Sequence, residues 1–212
     1  MKSYRNLFTS GARVPIRDVR YAQSDCGNDG FKLRVDAAGN CRIDYSNGRG
    51  KRYALREVEA MQGAAFVGRA EDFADFSRRG IVEGYYGKPY TDEDRKSLLD
   101  FMDAVRMNFY LYAPKDDPYH RAQWREPYPQ AKQAELAALC RYASEREIDL
   151  CYAISVGLDM RYSSEDDLCA LVAKLKAMEA VGFREFALLF DDIDPALNPA
   201  DAAVFESPAK AQ

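Results

Sequence analysis

Two consecutive carboxylates, Asp191 and Asp192, follow an apolar run, Phe186-Ala187-Leu188-Leu189-Phe190, and a third, Asp194, comes two residues later. A short apolar run bounded in this way reads as a buried strand. Neighbouring side chains at a strand end point in different directions, so the two carboxylates can occupy different environments. Environment is what separates an acid from a charged stabiliser. One carboxylate stays ionised beside a cation, while the other, raised in pKa, gives up a proton. In the blander alternative, one aspartate caps the following turn and the other is solvated. Lys115 closes a second apolar run, residues 108–113, and from there could donate to a substrate oxygen. It could equally be the surface partner of Asp116 or Asp117. Gly84 and Gly87, after a third such run, would let backbone approach a ligand closely. Tyr85 and Tyr86 between them either wall that pocket or pack in the core.

Other chemistries have less to work with. There is a single histidine, His120, in a polar loop, where a structural hydrogen bond is the better reading. The five cysteines include no C-x-x-C pair. Cys140, Cys151 and Cys169 fall in apolar periodic segments, as free buried thiols of a reducing, cytoplasmic compartment would. Asp191, Asp192 and Asp194 together could ligate a divalent metal for phosphoryl chemistry, but no glycine-rich phosphate loop accompanies them. We expect no metal and no cofactor.

The elements that must present these residues repeat along the second part of the chain. Residues 80–83, 108–113, 148–154 and 186–190 read as buried strands. Between them lie helices beginning near Thr91, over 130–146, and after Ser164 with Gly182 as its stop. Four βα units of this kind imply a parallel sheet with helices packed outside it, either doubly wound or part of a (β/α)8 barrel. Parallel strands share one C-terminal edge, which brings Gly84, Lys115 and Asp191-Asp192 to the same rim. Residues 1–77 read differently, as a small α+β unit: alternating strands at 31–35 and 41–45 joined by Asp36-Ala37-Ala38-Gly39-Asn40, then a helix over 52–62.

Bulk properties narrow the partners. Of 212 residues, 47% are hydrophobic and 30% charged, and the formal net charge is −4. That balance argues against nucleic acid or an anionic membrane as the partner, a local basic patch aside. No apolar run approaches the roughly 18 residues of a membrane span, and Met1 to Phe8 lacks the apolar centre of a signal peptide.

The strand-end motifs carry a resemblance. Gly80-Ile81-Val82-Glu83-Gly84-Tyr85-Tyr86-Gly87-Lys88-Pro89, Tyr110-Leu111-Tyr112-Ala113-Pro114-Lys115-Asp116-Asp117, Ala153-Ile154-Ser155 with Gly157-Leu158-Asp159, and Ala187-Leu188-Leu189-Phe190-Asp191-Asp192-Ile193-Asp194 stand in this order. Together they resemble the catalytic domain of glycoside hydrolase family 84, the O-GlcNAcases and related β-N-acetylglucosaminidases, over about residues 78–212. Residues 1–77 resemble more weakly the small domain that precedes the barrel in bacterial members. Val156 stands where the family usually has proline, and Tyr90 where it often has tryptophan.

The resemblance implies an α/β fold, the first half of a (β/α)8 TIM-type barrel with parallel strands 1–4, preceded by a small α+β domain. It implies hydrolysis of terminal β-linked GlcNAc from a glycan or glycoprotein, with retention. The sugar's own 2-acetamido oxygen attacks, so no enzyme nucleophile is needed and the usual spacing of two glycosidase carboxylates does not apply. Asp191 would orient and polarise the acetamido group, and Asp192 would be general acid and then base. Gly84, Tyr85 and Lys115 would contact the sugar. The family's later strands add a tyrosine, an asparagine and an aspartate, which these 212 residues do not include. A truncated form with bare barrel edges, prone to self-association, is therefore expected. The alternative is a carbohydrate-binding or interaction fragment without turnover.

Overall fold

A computed structural model describes residues 5–194 and 196–212; residues 1–4, the start of the stretch inspected for a leader, lie outside them. The chain divides into two compact units, Met1–Arg78 and Arg79–Gln212.

The first unit is a five-stranded sheet with one helix. Its strands are β1 (Arg5–Pro15), β2 (Asp18–Gln23), β3 (Phe31–Val35), β4 (Asn40–Tyr45) and, after helix α1 (Gly48–Ala60), β5 (Ala64–Asp72). The order across the sheet is β1-β5-β3-β4-β2, with β2 parallel to β4 and the other pairs antiparallel. Period-two alternation works as the sequence suggests in β3 and β4. Phe31, Leu33, Val35, Cys41 and Ile43 point to one face and pack with Tyr53 and Ala54 of α1. Helix α1 begins four residues earlier than its apolar spacing indicates. Asn47 caps it by accepting from the Gly50 N–H, and two glycines in the first turn hide the start. Strands β1, β2 and β5 were not read from the sequence, because their polar, irregular patterns carry no clear period.

The second unit alternates strand and helix: β6 (Gly80–Glu83), α2 (Asp92–Ala104), β7 (Phe109–Tyr112), α3 (Gln130–Ser144), β8 (Asp149–Ile154), α4 (Glu165–Val181) and β9 (Glu185–Leu188). The strands form a parallel sheet in sequence order, β6-β7-β8-β9. Local chemistry explains the helix starts. Thr91 and Asp94 make a reciprocal capping box, Ser164 caps α4 through the Asp167 N–H, and acidic residues fill both first turns. Gly182 ends α4 at φ +132°, a conformation that L side chains rarely adopt.

The core of this unit lies between sheet and helices. Tyr110, Tyr112, Tyr152 and Ile154 on the strands meet Leu99, Met102, Leu136, Leu139 and Met178 on the helices. Each such fully buried side chain contributes about 1.5–3 kcal/mol of hydrophobic transfer. Two expectations need correcting. Cys169 is exposed on α4 rather than buried; all five thiols are free. Strands β6 and β9, read as buried, are partly open: Val82, Phe186 and Leu188 are exposed, because these are the two edge strands of the sheet and nothing among the described residues covers that face. After β9 come two short turns, α5 (Pro199–Ala202) and α6 (Pro208–Ala211), with Pro199 and Pro208 each at a first helical position. Among the described residues no helix is long and apolar enough to cross a membrane.

Candidate active site

Because the four strands are parallel, their C-terminal ends open on one rim, and pairing continues a little past each end. The Ala113 N–H donates to Glu83 O, Lys115 N–H to Tyr85 O, and Leu189 N–H to Ile154 O. These bonds hold the loop starts in register. They bring residues from three loops together around Asp191 and Asp192.

Lys115 is the centre of the cluster. Its side chain is only 3% exposed, yet its Nζ lies 2.5 Å from Asp191 Oδ2 and 3.9 Å from Asp192 Oδ2. Both aspartate side chains remain about half exposed, at 54% and 52%. The hydrogen bond from the Lys115 ammonium holds the Asp191 carboxyl below its usual range, although partial burial works the other way. Lys115 is therefore not the surface partner of Asp116 or Asp117. Asp116 accepts instead from the Gly87 N–H at 2.7 Å, which ties down the glycine loop. Asp117 is buried and accepts from the hydroxyls of Tyr112 and Tyr128 at 3.0 and 2.9 Å.

Asp192 has a different set of neighbours. The Tyr86 hydroxyl donates to its Oδ2 at 2.8 Å, and that bond raises the Tyr86 pKa. Arg121 donates from Nη2 to the Asp192 carbonyl at 3.2 Å, with its guanidinium 5.4 Å from the centre of the Tyr86 ring. Asp192 itself sits at φ +53°. This left-handed conformation is uncommon for a residue with a Cβ, though aspartate tolerates it better than most.

The chain beyond is anchored. Ile193 seats against Gly157 so closely that a Cβ there would lie 2.5 Å from Ile193 Cγ2. Asp201, fully buried, accepts from the N–H groups of Tyr162 and Ser163 at 2.9 and 2.7 Å and from the Ser163 hydroxyl at 2.6 Å. Asp194 does not join the pair; it accepts from the Ala196 N–H at 2.8 Å.

Under the rim lies a closed ion pair. Arg95 on α2 donates from Nε and Nη2 to the two carboxylate oxygens of Glu83, at 3.0 and 2.8 Å, and the Tyr110 hydroxyl adds a third bond at 2.6 Å. Neither ionic side chain is more than 2% exposed. Burial alone would favour loss of the Arg95 proton, but Glu83 outweighs it and the Arg95 pKa rises. Glu83 immediately precedes Gly84, so this pair fixes the height of the glycine loop.

His120 is fully buried and structural, as its loop position suggests. Its Nδ1 lies 2.6 Å from Ala153 O, and because a carbonyl only accepts, Nδ1 carries the proton. Burial lowers its pKa, with Lys115 and Arg121 adding to the effect.

Of the residues singled out in the sequence, Lys115, Asp191 and Asp192 come together, and Gly84 lies exposed on the same rim. Tyr85 is half-buried; its hydroxyl donates to Lys88 O at 3.3 Å and its ring packs edge-on against Tyr90. Sequence reasoning missed Tyr86 as the contact to Asp192, and missed Arg121, Asp201, Glu83 and Arg95. Only the Glu83–Arg95 pair left a trace, an acid closing an apolar strand and a base one helical turn after the Thr91 cap.

Comparison with known proteins adds an independent line. A family described as beta-N-acetylglucosaminidase matches residues 79–212, more than half of the chain. Mouse protein O-GlcNAcase is 45% identical over 150 residues, covering 71% of this chain and 16% of that protein. The rat protein is 47% identical over 133 residues, covering 63% and 14%. A solved O-GlcNAc hydrolase mutant from Thermobaculum terrenum superposes with a TM-score of 0.63 at 37% identity, covering 65% of this chain and 30% of that one. The chain thus spans a minor part of each of these relatives.

Proposed function

This chain belongs to the beta-N-acetylglucosaminidase family, and on that premise we propose that its Asp191-Asp192 pair carries out retaining hydrolysis of terminal β-linked GlcNAc. The acetamido oxygen of the bound sugar attacks the anomeric carbon as the glycosidic bond breaks. Asp192 gives its proton to the leaving oxygen. Asp191, ionised, accepts the acetamido N–H and offsets the positive charge that develops on the oxazoline. Asp192 then takes a proton from water, which opens the oxazoline and restores the original anomeric configuration.

One observation carries this reading: adjacent carboxylates on one rim have different hydrogen-bond partners, suited to separate tasks, although the Lys115 ammonium also lies 3.9 Å from Asp192. Asp191 is held ionised by a buried ammonium 2.5 Å away, while Asp192 is oriented by a phenol at 2.8 Å. Gly84 through its backbone, Tyr85 from the loop wall and Lys115 through its ammonium are the sugar-binding groups in this proposal. The sheet β6-β7-β8-β9, with α2 to α4 on one face, is read as the first half of a (β/α)8 barrel. Its outer strands β6 and β9 are the edges on which self-association would build. The natural partner is a β-GlcNAc-bearing glycan or glycoprotein. Five free thiols suit a reducing, cytoplasmic setting.

The test is hydrolysis of a fluorogenic β-N-acetylglucosaminide by the purified chain and by Asp192→Asn. Turnover that falls by roughly 10²–10⁴-fold in the variant is expected, the range for loss of a general acid–base. Undiminished turnover in Asp192→Asn, or binding without hydrolysis by the folded parent chain, defeats the proposal.

A further inference from the structure

The open face of the first unit carries an arrangement that glycoside chemistry does not use. Arg20 on β2 stands opposite Arg42 on β4, Arg42 opposite Arg34 on β3, and Arg34 opposite Arg69 on β5. All four are exposed on the face away from α1, since their neighbours Leu33, Ile43 and Ala70 belong to the other side. With strands about 4.8 Å apart, the row is about 14 Å long. Like charges directly opposite one another destabilise a sheet, so this row costs stability unless something offsets it.

Two of the four are offset within the protein. Arg20 pairs with Asp18 at 2.7 Å and Arg42 with Asp44 at 2.9 Å. Arg34 and Arg69, side by side on the central strands, have no ion-pair partner among the described residues, nor has Lys32, two residues before Arg34. Lys32 stands between two acids, Asp44 on β4, which Arg42 already engages, and Glu71 on β5. The centre of the face therefore has an excess of unpaired positive charge inside a chain whose net charge is −4.

We propose that this face docks an acidic polypeptide segment, with Arg34 and Arg69 as its principal carboxylate-binding groups. Guanidinium groups are suited to carboxylates, which they grip through two parallel hydrogen bonds. The chemistry of the face selects among anionic partners. No aromatic side chain stands in the row, or in the paired residues of the next row, Asp44, Lys32 and Glu71. Phe66, exposed farther along β5, has the Arg13 guanidinium over its ring, so the row itself offers no open platform for bases or sugar rings. Asp18, Asp44 and Glu71 would repel a uniformly charged polyphosphate, but they accept the occasional lysine of a peptide. This inference stands apart from the glycosidase reading and uses none of its residues.

The test is fluorescence anisotropy of the 212-residue chain with a fluorescein-labelled peptide of alternating glutamate and serine, in low and high salt. A single-stranded oligothymidylate serves as competitor. Binding to the peptide that weakens roughly tenfold in the Arg34→Ala/Arg69→Ala double variant, and further with salt, supports the proposal, provided Arg141→Ala on α3 leaves it unchanged. A melting temperature that is unchanged or raised in the double variant shows that the pair is not there for stability. Absence of peptide binding, equal binding by the double variant, a lowered melting temperature, or tighter binding of the oligonucleotide overturns it.

Discussion

Two ion pairs stand at the ends of neighbouring strands in the second unit, and they are built in opposite ways. Glu83–Arg95 faces the helix layer, is closed to water, and has the Tyr110 hydroxyl as an added donor. Lys115–Asp191 faces the rim, where the ammonium is buried but the carboxylate is more than half exposed. A closed pair has no atom that a ligand in solvent can reach, so its role is to hold Gly84 at a fixed height above the sheet. An open pair keeps a carboxylate charged yet within reach of a substrate. The contrast teaches that burial of both partners marks scaffold, and burial of the cation alone marks a site.

Breaking the closed pair has the largest expected effect. Glu83→Ala leaves a buried guanidinium without its partner and lowers unfolding stability by about 3–5 kcal/mol, read from urea denaturation. Replacing the pair and its added donor by apolar residues, Glu83→Leu with Arg95→Met and Tyr110→Phe, recovers most of that loss, because neither a buried charge nor an unpaired hydroxyl remains. A single variant as stable as the parent would remove the distinction drawn here.

Lys115→Met tests the open pair from the other side. Its stability cost is small, about 1 kcal/mol or less, since Asp191 stays hydrated. Activity on a β-N-acetylglucosaminide falls roughly tenfold or more, and the acid limb of its pH profile moves up. The sign follows from the pairing: Lys115 lowers the Asp191 pKa, so without it Asp191 takes up its proton at a higher pH. An unmoved acid limb would show that Asp191 does not depend on Lys115 for its charge.

A smaller effect is expected at Tyr86→Phe, which removes one hydrogen bond to Asp192 and keeps the ring under Arg121. Turnover drops several-fold, in line with about 0.5–1.5 kcal/mol for one hydrogen bond, with KM nearly unchanged. The least dramatic test concerns His120. Its pKa is lowered from 6.5 by burial. The stability it contributes is therefore fully present above pH 6.5 and is lost as pH falls below that value, where the unfolded chain binds the proton more readily. Denaturation midpoints measured on the acid side should fall less steeply in His120→Gln than in the parent chain.

Much of the second unit was legible in the residues because each element announces itself locally. Thr91 and Ser164 cap their helices as their side chains suggest, Gly182 stops α4, and four apolar runs became four strands. The acid pair was legible for the same reason, as charge placed where an apolar run ends, although that run forms a half-exposed edge strand rather than a buried one. The first unit was only half legible. Strands β3 and β4 alternate cleanly, whereas β1, β2 and β5 are defined by whom they pair with rather than by their own pattern.

The sequence by itself determined the alternation of strands and helices, the parallel sheet that follows from it, and the rim on which Gly84, Lys115, Asp191 and Asp192 must lie. Periodicity and capping are short-range chemistry, and they are written in consecutive residues. Only the tertiary structure decided that Lys115 reaches Asp191 rather than its sequence neighbours Asp116 and Asp117, that Tyr86 rather than Tyr85 holds Asp192, and that four arginines from four strands share one row. Those outcomes depend on strand register and loop path, which bring together groups many residues apart and leave no mark on the local pattern of either.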